Sequence, residues 1–190
     1  MEIRLSLALL AVLAGIAWAL AAEAPTAAFD PGSAATHELS ALEDRFAAAH
    51  DDLAVARQLA AEYLRRDAPA LAIGVVHAAA PELVTDPLLT HRLAQAYEGV
   101  GRIDDALATA SVARARCLRS LGSEEATPVD SPSRYLCSPA ALVALEQHEQ
   151  ALAQMVLWGV TDPRHDPRAR VAHGLAERRA KIASLGGVGE

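Results

Sequence analysis

The chain has 190 residues, 52% of them hydrophobic but only 4% aromatic, and a formal net charge of −7. That length supports one domain with its own core, and an apolar fraction rich in alanine, without β-branched runs of period two, favours packed helices over sheets. The acidic balance excludes a general nucleic-acid binder, which needs a dominant basic surface to displace counterions. The charge is unevenly spread: Glu23 to Asp52 carries seven acids against Arg45, whereas Arg164 to Lys181 carries six bases against Asp166 and Glu177.

The opening residues, MEIRLSLALLAVLAGIAWALAAEA, place Arg4 before an apolar run from Leu5 to Leu20 that ends in small side chains. Ala19-Leu20-Ala21 fits the pattern cut by signal peptidase, which makes residues 1–21 a signal peptide. The run also nearly reaches the roughly 18–20 residues that span a bilayer, so an uncleaved anchor is the rival reading. No cysteine follows the run, which closes the lipoprotein route. On either reading the rest of the chain is exported, to a periplasmic or cell-envelope location, and meets an oxidising compartment. Residues 22–36 combine proline, glycine and small side chains without helical periodicity and read as a flexible leader.

A helical domain is expected over 37–185, followed by a tail at 186–190. Its first helix, in THELSALEDRFAAAHDD, has Leu39, Leu42 and Phe46 at helical spacing and Thr36 as N-cap. The middle of the chain is organised by a period of 34. Aligning Leu53–Asp86 with Pro87–Ser120 sets Leu59 on Leu93, Ala60 on Ala94, Tyr63 on Tyr97, Ala72 on Ala106 and Ala79 on Ala113. This pattern resembles the tetratricopeptide-repeat (TPR) family, whose helix-turn-helix unit has that length and those small and aromatic positions. In the second copy, LAQAYEGVGRIDDALATA, Gly101 also matches the family's turn glycine; no glycine stands near Asp67 in the first. Two helices approach closely only where alanine or glycine replaces bulk, so Ala94 against Ala106 supplies that contact, and both tyrosines read as core.

QHEQALAQMVLWGVTDP resembles the second helix of a third copy, with Ala151 in the place of Ala106 and Pro163 as the terminating proline. It is displaced by an 11-residue insertion, Leu121 to Ser131, and Tyr135 then stands where the family often has tryptophan. Pro139 falls within the expected first helix of that copy, so this helix is expected to be short, with Ser138 as N-cap and Pro139 in the first turn. Beyond it, Asp166-Pro167 opens a terminal helix running to about Ser184, with Val171, Leu175 and Ile182 as its buried stripe and Gly186-Gly187 closing it. The fold class is therefore all-α: a short TPR-like α-solenoid of about two and a half repeats between capping helices.

The resemblance also places the two cysteines. Cys117 falls near the end of the second copy and Cys137 just before the third, with the insertion between them. Successive elements of such an array are neighbours, so a disulfide is expected in an oxidising compartment, with a buried thiol pair or reactive or intermolecular thiols as the alternatives.

No residue pattern specifies a reaction. The seven histidines include no H-E-x-x-H, no cysteine pair has zinc-ligand spacing, and neither G-x-S-x-G nor a phosphate-binding glycine loop occurs. No metal, cofactor or catalytic residue is assigned. In the family the first helices line a concave face that receives peptides, and the resemblance maps that face onto Arg57, Ala61, Leu64 and Arg65 from one copy and His91, Gln95 and Glu98 from the next. Arg57, Arg65, His91, Gln95 and Glu98 are the partner-binding candidates; the two arginines and the histidine suit a carboxylate, and solvated helix faces are the alternative. The basic terminal helix also suits peripheral contact with anionic membrane headgroups. The expected function is an exported, non-catalytic interaction module that binds a peptide or partner protein. Its rivals are a membrane-anchored assembly subunit and a metal-dependent or hydrolytic enzyme.

Overall fold

The computed structural model describes residues 34–122 and 137–186. The chain divides into two compact units, Met1–His37 and Glu38–Glu190. Of the first, only residues 34–37 are described, so the signal segment and residues 22–33 of the leader lie outside the described residues, as do Tyr135 and most of the insertion, while residues 34–36 of the leader are helical. The second unit is all-helical where described. No described helix is long and apolar enough to cross a membrane.

Seven α-helices occur among the described residues: α1 (Ala34–Ala48), α2 (Leu53–Arg65), α3 (Pro69–Ala78), α4 (Pro87–Gly99), α5 (Ile103–Gly122), α6 (Pro139–Leu157) and α7 (Pro167–Gly186). A single 3₁₀ turn, Leu83–Thr85, leads into α4. Local chemistry sets several of these starts. Asp52 accepts from the Val55 N–H at 3.1 Å and Asp86 from the Leu89 N–H at 2.7 Å, each satisfying a backbone donor that the first turn leaves without a partner. Ser138 caps α6 through the Ala141 N–H at 3.1 Å, with Pro139 in the first turn, as the sequence predicts.

The helix boundaries keep the 34-residue offset. Leu53 and Pro87 each open a helix of 13 residues, and Pro69 and Ile103 open the next two helices at the same spacing. The aligned pairs Leu59 and Leu93, Ala60 and Ala94, Ala72 and Ala106, and Ala79 and Ala113 are all buried. Tyr97 is buried too, whereas Tyr63 is half-buried and donates its hydroxyl to Glu43 on α1 at 2.6 Å. Each helix from α2 to α7 packs on the next, and α2 also packs on α4. The main core runs from Leu42 and Phe46 through Leu89 and Leu152 to Ala176. A smaller cluster of Ala113, Cys117, Cys137 and Leu145 lies apart from it.

The turn after α2 has no glycine, yet Asp67 adopts φ 56°, the left-handed conformation that Gly101 adopts at φ 78° one period later. Aspartate enters that region more readily than most residues, so the same turn forms without glycine. At Gly101 the space is tighter: a Cβ there would lie 3.0 Å from the Thr161 carbonyl oxygen. Gly101→Ala should therefore cost about 2 kcal/mol from left-handed strain and this contact together. A urea midpoint unchanged from wild type would refute that assignment.

Three sequence expectations need correction. Thr36 lies inside α1, which begins at Ala34, so it is not the N-cap. The third copy does not break into two helices: α6 runs without interruption through the expected turn. Its sequence there, AALVALEQHEQALAQ, holds strong helix formers and neither glycine nor proline, so nothing stops propagation. On α7 the buried stripe is Ala169, Ala172 and Ala176, whereas Val171 is 50% and Ile182 70% exposed and Leu175 is half-buried. Close helix approach selects the small face over the bulky one.

Candidate functional site

On α4, His91, Gln95 and Glu98 recur at intervals of four and three residues and so share one face. Two helices bring further histidines to that face: His148 from α6 and His173 from α7. The Glu98 carboxylate is the hub. Its Oε2 lies 2.9 Å from His148 Nε2 and its Oε1 lies 2.8 Å from His173 Nε2. His148 also presents Nδ1 to His91 Nε2 at 2.9 Å. The order is thus His91–His148–Glu98–His173, with the His148 and His173 rings stacked at 6.2 Å between centroids and 11° between planes.

An ionised carboxylate only accepts, so His148 donates from Nε2 and His173 from Nε2. When His148 is neutral, its Nδ1 is an acceptor and His91 donates from Nε2. Electrostatics separate the members. Burial, reinforced by the positive potential of His148 and Arg92, pulls His91 down to about 3 and keeps it neutral at ordinary pH. Burial pushes the Glu98 carboxyl up, but the hydrogen bonds from His148 and His173 outweigh it and hold the group at about 2. The bond to Glu98 raises His173 above its usual value against the opposing effect of burial, helped by the charges of Glu98 and Glu177.

These donors are strung along a line, each spent on its neighbour, instead of converging on one point. Among the described residues no group of three or more histidine, cysteine, aspartate or glutamate side chains is placed to hold a metal ion. A hydrogen-bonded file of this kind can carry charge between three helices and can tie them together.

The five predicted binding residues have different surroundings. His91 and Glu98 belong to the file. Gln95, between them on the same face, accepts from Arg92 Nη1 at 2.9 Å and joins Glu98, Leu64 and Arg164 in lining a hollow of about 230 Å³. Arg57 turns to the fully buried Asp86, donating from Nε at 2.8 Å and from Nη2 to the second carboxylate oxygen. Arg65 is 67% exposed and bonds Glu62 on its own helix through Nε at 2.9 Å. Glu62, held by Arg65 and Arg66, has its carboxyl lowered to about 2.

Sequence reasoning missed His148 and His173 as partners of Glu98. One signal was present: His173 lies beside Ala172 and Ala176, on the small-residue face that packs inward. Cys117 and Cys137 are bridged, with their Cα atoms 5.3 Å apart and both side chains buried. No family model, curated protein or solved structure matches the chain.

Proposed function

We propose that the chain is an exported, non-catalytic interaction module of the TPR-like kind, which receives a peptide or partner protein in the cell envelope. The observation that carries this reading is the recurrence of two-helix units 34 residues apart, with the aligned alanines buried and α2 set against α4. Units of this kind leave one face of successive first helices for a partner, because each unit buries its other faces on its neighbours. Export is supported by the form of the first residues and by the bridged cysteines, since disulfides persist in oxidising compartments.

Within this reading the docking face centres on the hollow beside Gln95 and Glu98, with Arg65 as an exposed cation on the preceding unit. Arg57 serves the fold through Asp86. The test is affinity capture from an envelope extract with the wild-type chain and with an Arg65→Glu, Gln95→Lys double variant whose helicity matches wild type. A partner bound through this face should be recovered at least about tenfold less by the variant, a change of about 1.4 kcal/mol. Equal recovery would remove the face from the proposal.

A further inference from the structure

Helix α7 is held in an unusual way. Its fully packed residues, Ala169, Ala172 and Ala176, offer little apolar surface each, and its larger apolar side chains Val171 and Ile182 point to solvent. Against this thin apolar contact stands a charged one: His173 reaches α4 and bonds Glu98 at 2.8 Å. The same carboxylate takes His148 of α6 on its other oxygen, so one side chain joins α4, α6 and α7.

We propose that Glu98, His148 and His173 form a proton-dependent clasp that holds α7 against α4 and so sets how far the α4 face bearing His91, Gln95 and Glu98 is covered. The ionisable groups around it come from every neighbouring element. Arg92 and His91 stand on α4, His148 on α6, and Glu177 with His173 on α7. From the α2–α3 turn, Asp67 pairs with Arg164 of the α6–α7 connection at 3.1 Å, and both line the hollow with Glu98.

The sign follows from His173. Its value is raised when docked, so the clasp is at full strength below the undocked value of about 6.5 and weakens as pH rises through the raised docked value. Glu98 stays ionised throughout this window, being held at about 2. His91 works in the opposite direction and at lower pH. It is held neutral, so between about 6.5 and 3 a fully unfolded chain takes up a proton that the folded chain refuses, and acid weakens the whole fold. The two effects belong to different openings: detachment of α7 leaves His91 against His148, whereas global unfolding exposes both.

Amide hydrogen exchange on the full chain, corrected for intrinsic pH dependence, separates them. The opening constant of α7 amides is expected to be flat up to about pH 6.5 and then to rise until the raised docked value is passed, with about tenfold per pH unit as the steepest slope one proton allows, while α2 and α3 amides show no such rise. In His173→Gln, which keeps a hydrogen-bond donor but cannot take a proton, α7 opening should already be raised and should not change with pH. A flat profile for wild-type α7, or an unchanged slope in His173→Gln, would overturn the clasp. If that variant does not fold, NMR titration of wild-type His173 decides: a value at or below about 6.5 overturns the proposal and a higher one upholds it. Its bearing on partner access rests on the interaction reading above, but the clasp itself does not. An intact exchange profile with failed capture would sink that reading alone, and a flat profile with successful capture would sink the clasp alone.

Discussion

Replacing Asp86 with alanine is expected to lower the unfolding free energy by about 3–5 kcal/mol, the usual cost of breaking a buried ion pair from one side. The carboxylate is fully buried and has no idle oxygen. Oδ1 accepts from Arg57 Nε at 2.8 Å and from the Leu89 N–H at 2.7 Å, and Oδ2 accepts from Arg57 Nη2. The substitution therefore removes an N-cap and the counter-charge of a half-buried guanidinium in one step. It also disturbs the next layer. The Asp86 carbonyl accepts from the Thr90 hydroxyl at 2.6 Å, and that hydroxyl accepts from Arg116 Nη1 of α5 at 2.8 Å. Three helices thus converge on this corner. Asp86→Asn keeps an acceptor for the Leu89 amide but loses the charge, so its expected cost is smaller, about 1.5–3 kcal/mol. Urea unfolding followed by circular dichroism measures both; a loss under about 1 kcal/mol for the alanine variant would show that Arg57 is served equally well without Asp86.

Removing the disulfide should have the next largest effect. The bridge spans a sequence separation of 20, and closing a loop of that size restrains the unfolded chain by about 3 kcal/mol. Cys117 and Cys137 pack with Ala113 and Leu145 in the smaller cluster, so two alanines there lose little contact and the cost falls chiefly on the unfolded state. The Cys117→Ala, Cys137→Ala double variant should therefore show a lower urea midpoint, and reductant added to the wild type should reproduce most of the shift. No movement on full reduction would mean that the unfolded chain gains little freedom when the bridge opens.

Much of the first two units was legible because their signals are local. Asp52 and Asp86 stand one residue before helix starts 34 apart, and the buried alanines repeat with them. What failed was inference across helices. The third copy was expected from Ala151 and Pro163, two positions that a single straight helix and its following loop satisfy equally well. On α7 the bulky residues were assigned to the core because size is the usual guide to burial. Packing against α6 instead rewards close approach, which small side chains such as Ala169, Ala172 and Ala176 allow. The histidine file was half legible: His91 and Glu98 share a face by spacing alone. Its other members are 50 and 75 residues from Glu98, and helical periodicity says which residues share a face but not which faces meet.

The bridge has one more consequence, a topological one. Cys117 lies on α5 and Cys137 just before α6, so α6 and α7 are joined to the rest of the domain by two covalent routes, the backbone and the sulfur link. Scission of a peptide bond between those two residues would leave two chains still joined through sulfur, and parting them would require reduction as well as loss of the packing of α6 on α5. A single backbone cut between the cysteines therefore does not by itself release α6 and α7.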